Sequence, residues 1–327
     1  MKRLAALTAC ILCLGLALGA CGDSDDSGGG GSDDGGSAAK QNDYTIGIDL
    51  SDPEDPLFVQ MKQGMEAEAK KLGVKTTYTY SLYDPGKQLD NVQNLLTKNA
   101  DGLLISPADV KASVPAFQAA KAADVPAVAI ADHSDENVQT SFVGAPWDEF
   151  GRQIAEWTCD KAGGKGEIAM IEGPSGVSFV EEMKVGYRDY IEQECPGMSI
   201  VFETNVDISR DAALAAAQDA ITAHPNLRAI FTNTDTMGAG AIQMLRENNK
   251  LGKVIVTGFN GDETGYNLVK KGDLDMTVAL KPYAWGRLGI RTIVGILNGE
   301  EAQPLVHIDT VVLDADSIGS IPFDSIK

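Results

Sequence analysis

The chain has 327 residues, with 47 acidic against 27 basic side chains and a formal net charge of −20. That balance excludes a nucleic-acid partner, whose phosphates call for basic patches. At 43% hydrophobic, a chain of this length can bury one large core or two medium ones.

The first element in the chain stands apart from the fold. Lys2 and Arg3 precede an apolar run from Leu4 to Leu18, too short to span a bilayer, and small residues follow it. This pattern predicts a secretory signal peptide over residues 1–20. Leu18-Gly19-Ala20-Cys21 resembles a bacterial lipobox. The resemblance implies cleavage before Cys21 and lipid on that residue. The rest of the chain would then work outside the cytoplasm, in the periplasm or on the outer face, held to the cell membrane without crossing it. A plain signal peptide with an incidental cysteine is the alternative. Residues 22–43 carry no apolar side chain larger than Ala. Such a segment cannot bury enough surface to offset ordering entropy, and its Gly/Ser content predicts a flexible tether over 21–43. Its Asp clusters lack the ligand spacing and closing Glu of a calcium loop.

From Tyr44 onward strand and helix patterns alternate. A β-branched apolar run over 44–50 predicts a strand. Asp55-Pro56 predicts a helix start, with Leu57, Phe58, Met61, Met65, Ala69 and Leu72 at helical spacing and Gly73 as its stop. Strand 74–80, a helix from Asp84-Pro85, strand 102–106, a helix near 109–123 and strands 127–132 and 140–144 continue the series. Then come helix 147–161, strand 167–172, helix 178–194, strand 199–204, helix 210–223, strand 229–233 and helix 235–248. Strand 254–260, helix 262–271, strand 276–280, helix 283–298 and a final strand near 305–313 complete it. Repeated βα units with near-continuous apolar strands predict parallel sheets covered on both faces. About eleven strands exceed one ordinary domain. The expected fold is therefore α/β, two similar doubly wound parallel-sheet lobes with a seam near Gly144–Trp147.

Cys10 and Cys13 fall in the signal peptide and Cys21 in the lipobox, which leaves Cys159 and Cys195. Two cysteines in an exported domain suggest one disulfide, with two buried free thiols as the alternative.

In open parallel sheets, ligands bind beyond the carboxyl ends of the strands. Ser51, Asp52, Asp55, Leu57 and Phe58 stand after the first strand, Ser106 and Asp109 after 102–106, and Asp132 and His133 after 127–132. Ser175, Ser178, Phe179 and Glu181 follow 167–172. Asp207 and Arg210, then Asn233, Thr234 and Asp235, then Asn260 and Asp262 follow the later strands. Helix capping is the default role of Asp109, Asp207, Asp235 and Asp262. Asp55, Asp132 and Asn260 stand at the mouth of the predicted crevice.

The stretches IGIDLSDPEDPLFVQMKQGMEAEAKKLG, LYDPGKQLDNVQNLLTKNADGLLISPAD, VPAVAIAD, AITAHPNLRAIFTNTDTMGAGAI and VIVTGFNG resemble the periplasmic ribose-binding protein family of ABC importers, across essentially all of 44–327. The resemblance implies a type I periplasmic binding protein whose lobes are joined by three hinge crossings near 145–147, 280–282 and 308–310. The first lobe would be 44–145 plus 282–309 and the second 146–281 plus 310–327. It also implies sugar contacts. Ser51, Asp55, Leu57 and Phe58 match the first-strand loop, where the family usually has Asn and two aromatics. Asp132 and His133 match an Asp-Arg pair. Glu181 stands where an Arg grips hydroxyls, and Ile208 replaces a stacking aromatic. Thr234 replaces Asn, Asn260 replaces Asp and Leu280 replaces Gln.

Losing two Arg positions and gaining Glu181 argues against ribose itself, because a hydrogen-bonding site rejects ligands that leave its polar groups unpaired. The expected ligand is a neutral sugar or sugar alcohol. An amine-bearing molecule is the alternative if Asp55, Asp132 and Glu181 all point inward. The resemblance further implies an ABC permease as partner, a monomer, and neither cofactor nor metal. A sensory receptor of the same fold is a rival reading. An enzyme is disfavoured. His133, His224 and His307 form no zinc motif. Gly173-Pro174-Ser175-Gly176-Val177 lacks the last glycine of a nucleophile elbow. Gly163-Gly164-Lys165 lacks the first glycine of a phosphate loop, and Gly238-Ala239-Gly240 the third of a dinucleotide fingerprint.

Overall fold

Asp55 and Asp84 start the first two helices in the same way. Each carboxylate accepts a backbone N–H of the opening turn, at 2.8 Å from Leu57 and from Gly86, with Pro in the first position. The computed structural model describes residues 43–134 and 138–326. The expected signal peptide, Cys21 and the tether up to residue 42 lie outside the described residues.

The first half of the chain forms strands β1 (Thr45–Leu50), β2 (Lys75–Tyr80), β3 (Gly102–Ile105), β4 (Ala127–Ile130) and β5 (Ser141–Gly144). Helices α1 (Pro56–Leu72), α2 (Pro85–Thr97) and α3 (Val114–Ala122) connect them. The second half repeats the scheme with α4 (Trp147–Ala162), β6 (Gly166–Glu172), α5 (Ser178–Glu194), β7 (Met198–Asn205), α6 (Arg210–Ala223) and β8 (Leu227–Thr232). It continues with α7 (Asp235–Glu247), β9 (Ile255–Thr257), α8 (Glu263–Lys271) and β10 (Met276–Ala279). Helix α9 (Pro282–Leu297) and strands β11 (Leu305–His307) and β12 (Val311–Asp314) follow. Among the described residues, no helix is long and apolar enough to cross a membrane.

Two six-stranded sheets result, ordered β2-β1-β3-β4-β5-β11 and β7-β6-β8-β9-β10-β12. The pairing is parallel except for β12, which runs antiparallel to β10. Every residue of β3, β4 and β5 is buried, as both-face coverage by helices requires. The chain leaves the first layer between β5 and α4, returns between β10 and α9, and crosses again between β11 and β12. Two expectations shift here. The single final strand is two, because one extended segment serves β5 in one sheet and β10 in the other. Helix α3 starts at Val114 rather than near 109. Pro115 is tolerated only in a first turn, and Asp109 instead closes a separate turn, accepting from Lys111 and Ala112 at 2.9 and 2.6 Å.

In each lobe one helix pair packs with backbones almost touching, α1 on α9 and α4 on α5. A Cβ at Gly64 or Gly286 would overlap the Tyr283 or Met61 carbonyl, and one at Gly151 or Gly186 the Met183 or Asp148 carbonyl. Cys159 in α4 and Cys195 at the end of α5 are joined in a disulfide, with Cα atoms 6.2 Å apart. It closes a loop of sequence separation 36, which loop entropy values at about 3–4 kcal/mol. Unfolding in urea with and without reductant should show the reduced protein less stable by about 2–4 kcal/mol. Coincident curves would mean the tight α4–α5 contact holds without the bridge.

Candidate functional site

A strand order of 2-1-3-4-5 has its topological switch between the first and third strands, where a crevice opens at the carboxyl ends. In the first sheet that point lies between β1 and β3. Ser51 and Ser106, the residues just past these strands, meet there with Oγ atoms 3.1 Å apart. In the second sheet it lies between β6 and β8, where Gly173 N–H donates to Asn233 Oδ1 at 2.9 Å. A cavity of about 610 Å³ is lined from both sheets' strand ends.

Nine of the eleven residues expected at the site line this cavity: Ser51, Asp55, Leu57, Phe58 and Asp132 from the first lobe, and Ile208, Thr234, Asn260 and Leu280 from the second or its edge. The other two do not. Glu181 sits in the first turn of α5 and reaches back to Gly176 N–H (2.8 Å) and Ser175 Oγ (3.1 Å). The Gly176 N–H bond comes first among the causes that hold its carboxyl below the usual range. The acidic trio of Asp55, Asp132 and Glu181 is therefore a pair in the cavity. The His133 ring lies tilted against Phe142, with centroids 5.6 Å apart, and its Nδ1 lies 3.3 Å from Asp132 Oδ1. Asp132 Oδ1 also accepts the His133 backbone N–H at 2.9 Å, so His133 orients the carboxylate from behind.

The walls are aromatic and apolar. Trp147, the first residue of α4, has Phe150, Phe179 and Phe259 around it at 5.6, 5.8 and 6.0 Å. Trp147, Phe179 and Phe259 line the cavity with Phe58 and Tyr83. Phe259 was legible as the neighbour of Asn260 at a strand end. Tyr83 gave no such signal. It follows β2, away from the switch point, and stands with Leu82 in the left-handed region at φ of 57° and 55°.

A polar network behind the first wall fixes its shape. Gln88 Nε2 donates to Asp49 Oδ2 (3.0 Å) and to the Ser106 carbonyl (2.8 Å), while its Oε1 accepts from Ala108 N–H (3.2 Å). Asn91 and Thr79 donate to Asp49 Oδ1 at 2.7 Å each. The loop carrying Ser106 is thus held from below by a fully buried carboxylate. Backbone strain also gathers around the cavity. Ala131, Asn260 and Lys281 adopt φ of 72°, 105° and 51°. Such conformations persist only where the surroundings impose them. Asn260 is held by its N–H on the Val278 carbonyl (3.1 Å) and by its own carbonyl, which accepts from Leu280 N–H (3.3 Å).

The electrostatics are one-sided. Asp55, Asp109 and Asp132 line the cavity, and among the described residues that line it there is no Lys, Arg or His. Burial raises the Asp55 carboxyl against the lowering effect of the Leu57 N–H, and the charge of Asp52 adds to the rise. Such a site accepts hydrogen bonds from hydroxyl or ammonium groups and repels anions, while the aromatic rings offer faces to C–H surfaces.

The sequence profile described as Periplasmic binding protein domain matches residues 46–301. The chain is 29% identical over 266 residues to the ribose import binding protein RbsB of Bacillus subtilis, covering 81% of this chain and 86% of that one. It is 26% identical to a xylitol-binding protein of Mycolicibacterium smegmatis, over 89% of this chain and 79% of that one. Among solved structures, a periplasmic ribose ABC transporter protein from Conexibacter woesei superposes with a TM-score of 0.80 at 29% identity, covering 86% of this chain and 95% of that one.

Proposed function

The chain belongs to the periplasmic binding protein family, and from that premise we propose that it captures a neutral sugar or sugar alcohol between its lobes and delivers it to the permease of an ABC importer. The observation that carries this reading is the cavity at the facing strand ends, with carboxylates and hydroxyls set among aromatic rings and no basic side chain among the described lining residues. Sugar hydroxyls donate to Asp55 and Asp132. The ring's C–H face rests on Phe58, Phe259 or Trp147. The relatives are named for ribose, xylitol and D-allose, which supports a ligand of that chemical range.

In this reading residues 44–145 plus 282–309 form one lobe and 146–281 plus 310–327 the other. The crossings near 145–147, 280–282 and 308–310 serve as hinge. Ligand closes the lobes because it binds the closed arrangement better. The work is capture and release, with no bond made or broken. The signal peptide and Cys21 would export the protein and anchor it beside its permease, as a monomer. The one-sided charge favours a second reading, an amine-bearing ligand held by Asp55 and Asp132.

Thermal unfolding of the purified protein against D-ribose, D-allose, xylitol, myo-inositol, glucosamine, small amines, ribose 5-phosphate and glucuronate separates these readings. A ligand present at 100 times its Kd adds about 2.7 kcal/mol to the folded state. A neutral sugar or polyol should raise Tm and the two anions should not. Shifts with amines alone would replace the ligand class. Silence across the panel would remove the sugar assignment.

A further inference from the structure

The cleft has a second chamber, and we infer that it is a subsite for a substituent carried on the captured sugar, a second sugar ring or an aglycone. The inference rests on the sugar-capture reading above and deepens it. The second chamber encloses about 520 Å³. It adjoins the first across a shared waist of Asp55, Leu57, Ile208, Thr234, Asn260 and Leu280, which line both.

Size comes first. The first chamber alone, at about 610 Å³, has room for roughly 20 waters at about 30 Å³ each, ample for the roughly dozen heavy atoms of a hexose. The second adds room for roughly 17 more. A ligand that ended at one ring would leave this volume wet and its apolar lining unused.

The lining is the second argument. Past the waist the lining sets the apolar Pro56, Pro282 and Phe323, with Ile326 behind them, among polar and acidic residues. Phe323 is fixed rather than loose, because its ring packs on Tyr266 at 5.1 Å and Tyr266 Oη donates to the Ile321 carbonyl at 2.9 Å. These apolar faces suit the flat C–H or aromatic face of a substituent. Asp52, Glu54 and Asp262 are the charged residues of the lining, and among its described residues there is no Lys, Arg or His. The substituent is therefore neutral or cationic, never a phosphate or carboxylate.

The waist adds a third feature. It sets the apolar Leu57, Ile208 and Leu280 beside the polar Asp55, Thr234 and Asn260. A glycosidic link, with no hydroxyl to satisfy, passes the three apolar residues at least loss.

Titration calorimetry tests this with D-ribose, D-allose and D-glucose against uridine, adenosine, phenyl β-D-glucopyranoside and cellobiose, which carry the extension. At least one extended ligand should bind at least tenfold more tightly than its parent sugar. In Thr236→Trp, a change on an exposed residue of the second chamber's lining, and in Phe323→Ala, the ratio of the two affinities should fall towards one. Parent sugars binding as tightly as the extended ones, or a preference untouched by both variants, would overturn the subsite and leave sugar capture standing. Failure of both sets to bind would instead sink the sugar-capture reading, and the subsite with it.

Discussion

Replacing Glu68 by alanine lowers the unfolding free energy at pH 7 by about 3 kcal/mol, the low end for breaking a buried ion pair. Glu68 lies on α1 with only 1% of its surface exposed. Arg287 Nε and Arg291 Nε of α9 each donate to it at 2.7 Å, and Arg291 adds a second bond at 3.1 Å. Removal strands two guanidinium groups over an apolar helix seam. Their partial exposure keeps the loss at the low end. The loss also depends on pH. Burial alone would raise the Glu68 carboxyl, but the bonds from Arg291 and Arg287 outweigh it and lower the pKa from 4.5 to about 2. A depressed acid stabilises the folded state above its unfolded pKa, and that contribution fades as pH falls from about 4.5 through about 2. Denaturant curves at pH 7 and pH 3 should therefore differ less in the variant than in the parent protein. A loss under about 1 kcal/mol at pH 7 would show that α1 and α9 are held by packing alone.

Asp132→Ala abolishes high-affinity capture, weakening the best sugar or polyol of the thermal panel by at least about 100-fold, or about 2.8 kcal/mol. A charged acceptor contributes about 1.5–3 kcal/mol per hydrogen bond, and a carboxylate can hold two hydroxyls at once. Asp132 stands in the cavity wall with its orientation set by the His133 N–H and ring. Among the described residues its hydrogen-bond and ion-pair partner is the adjacent His133, so the Tm of the ligand-free variant should match the parent. Calorimetry and thermal unfolding together check this. Unchanged affinity would move the sugar's anchor to Asp55 or Asp109. An unchanged Kd with a lowered Tm would make Asp132 a fold residue.

Much of this arrangement was legible in the sequence, for reasons that also mark where legibility ends. Strands such as 102–105 and 127–130 are buried on both faces, so they read as continuous apolar runs. The Asp-Pro starts at 55–56 and 84–85 carry their capping chemistry in two residues. Because parallel strands put their carboxyl ends on one side, Ser51, Asp132, Thr234 and Asn260 could be gathered before any coordinate was known. Side-chain direction could not. Glu181 occupies a site position in the chain, yet the Gly176 N–H beside it offers a nearer partner. Tyr83 enters the cavity through two successive left-handed residues, a conformation that no side chain of Leu82 or Tyr83 announces. The split of the last strand escapes the sequence for a related reason. Its apolar residues look alike, and only the sheets reveal that 305–307 and 311–314 belong to different layers.

The late return of the chain to its first layer governs how the molecule can be born. Trp285 of α9 is 2% exposed and donates to the Val143 carbonyl at 2.9 Å, while Ile293 and Leu297 close over Gly102. Until these residues have been synthesised, β1 to β5 lack a lid on one side and β5 lacks its neighbour β11. At roughly 5–20 residues per second, the interval between making β5 and making α9 lasts several seconds or more. The N-terminal half cannot finish folding behind the ribosome during that time. A nascent chain in this condition stays open long enough to be threaded through a translocation pore.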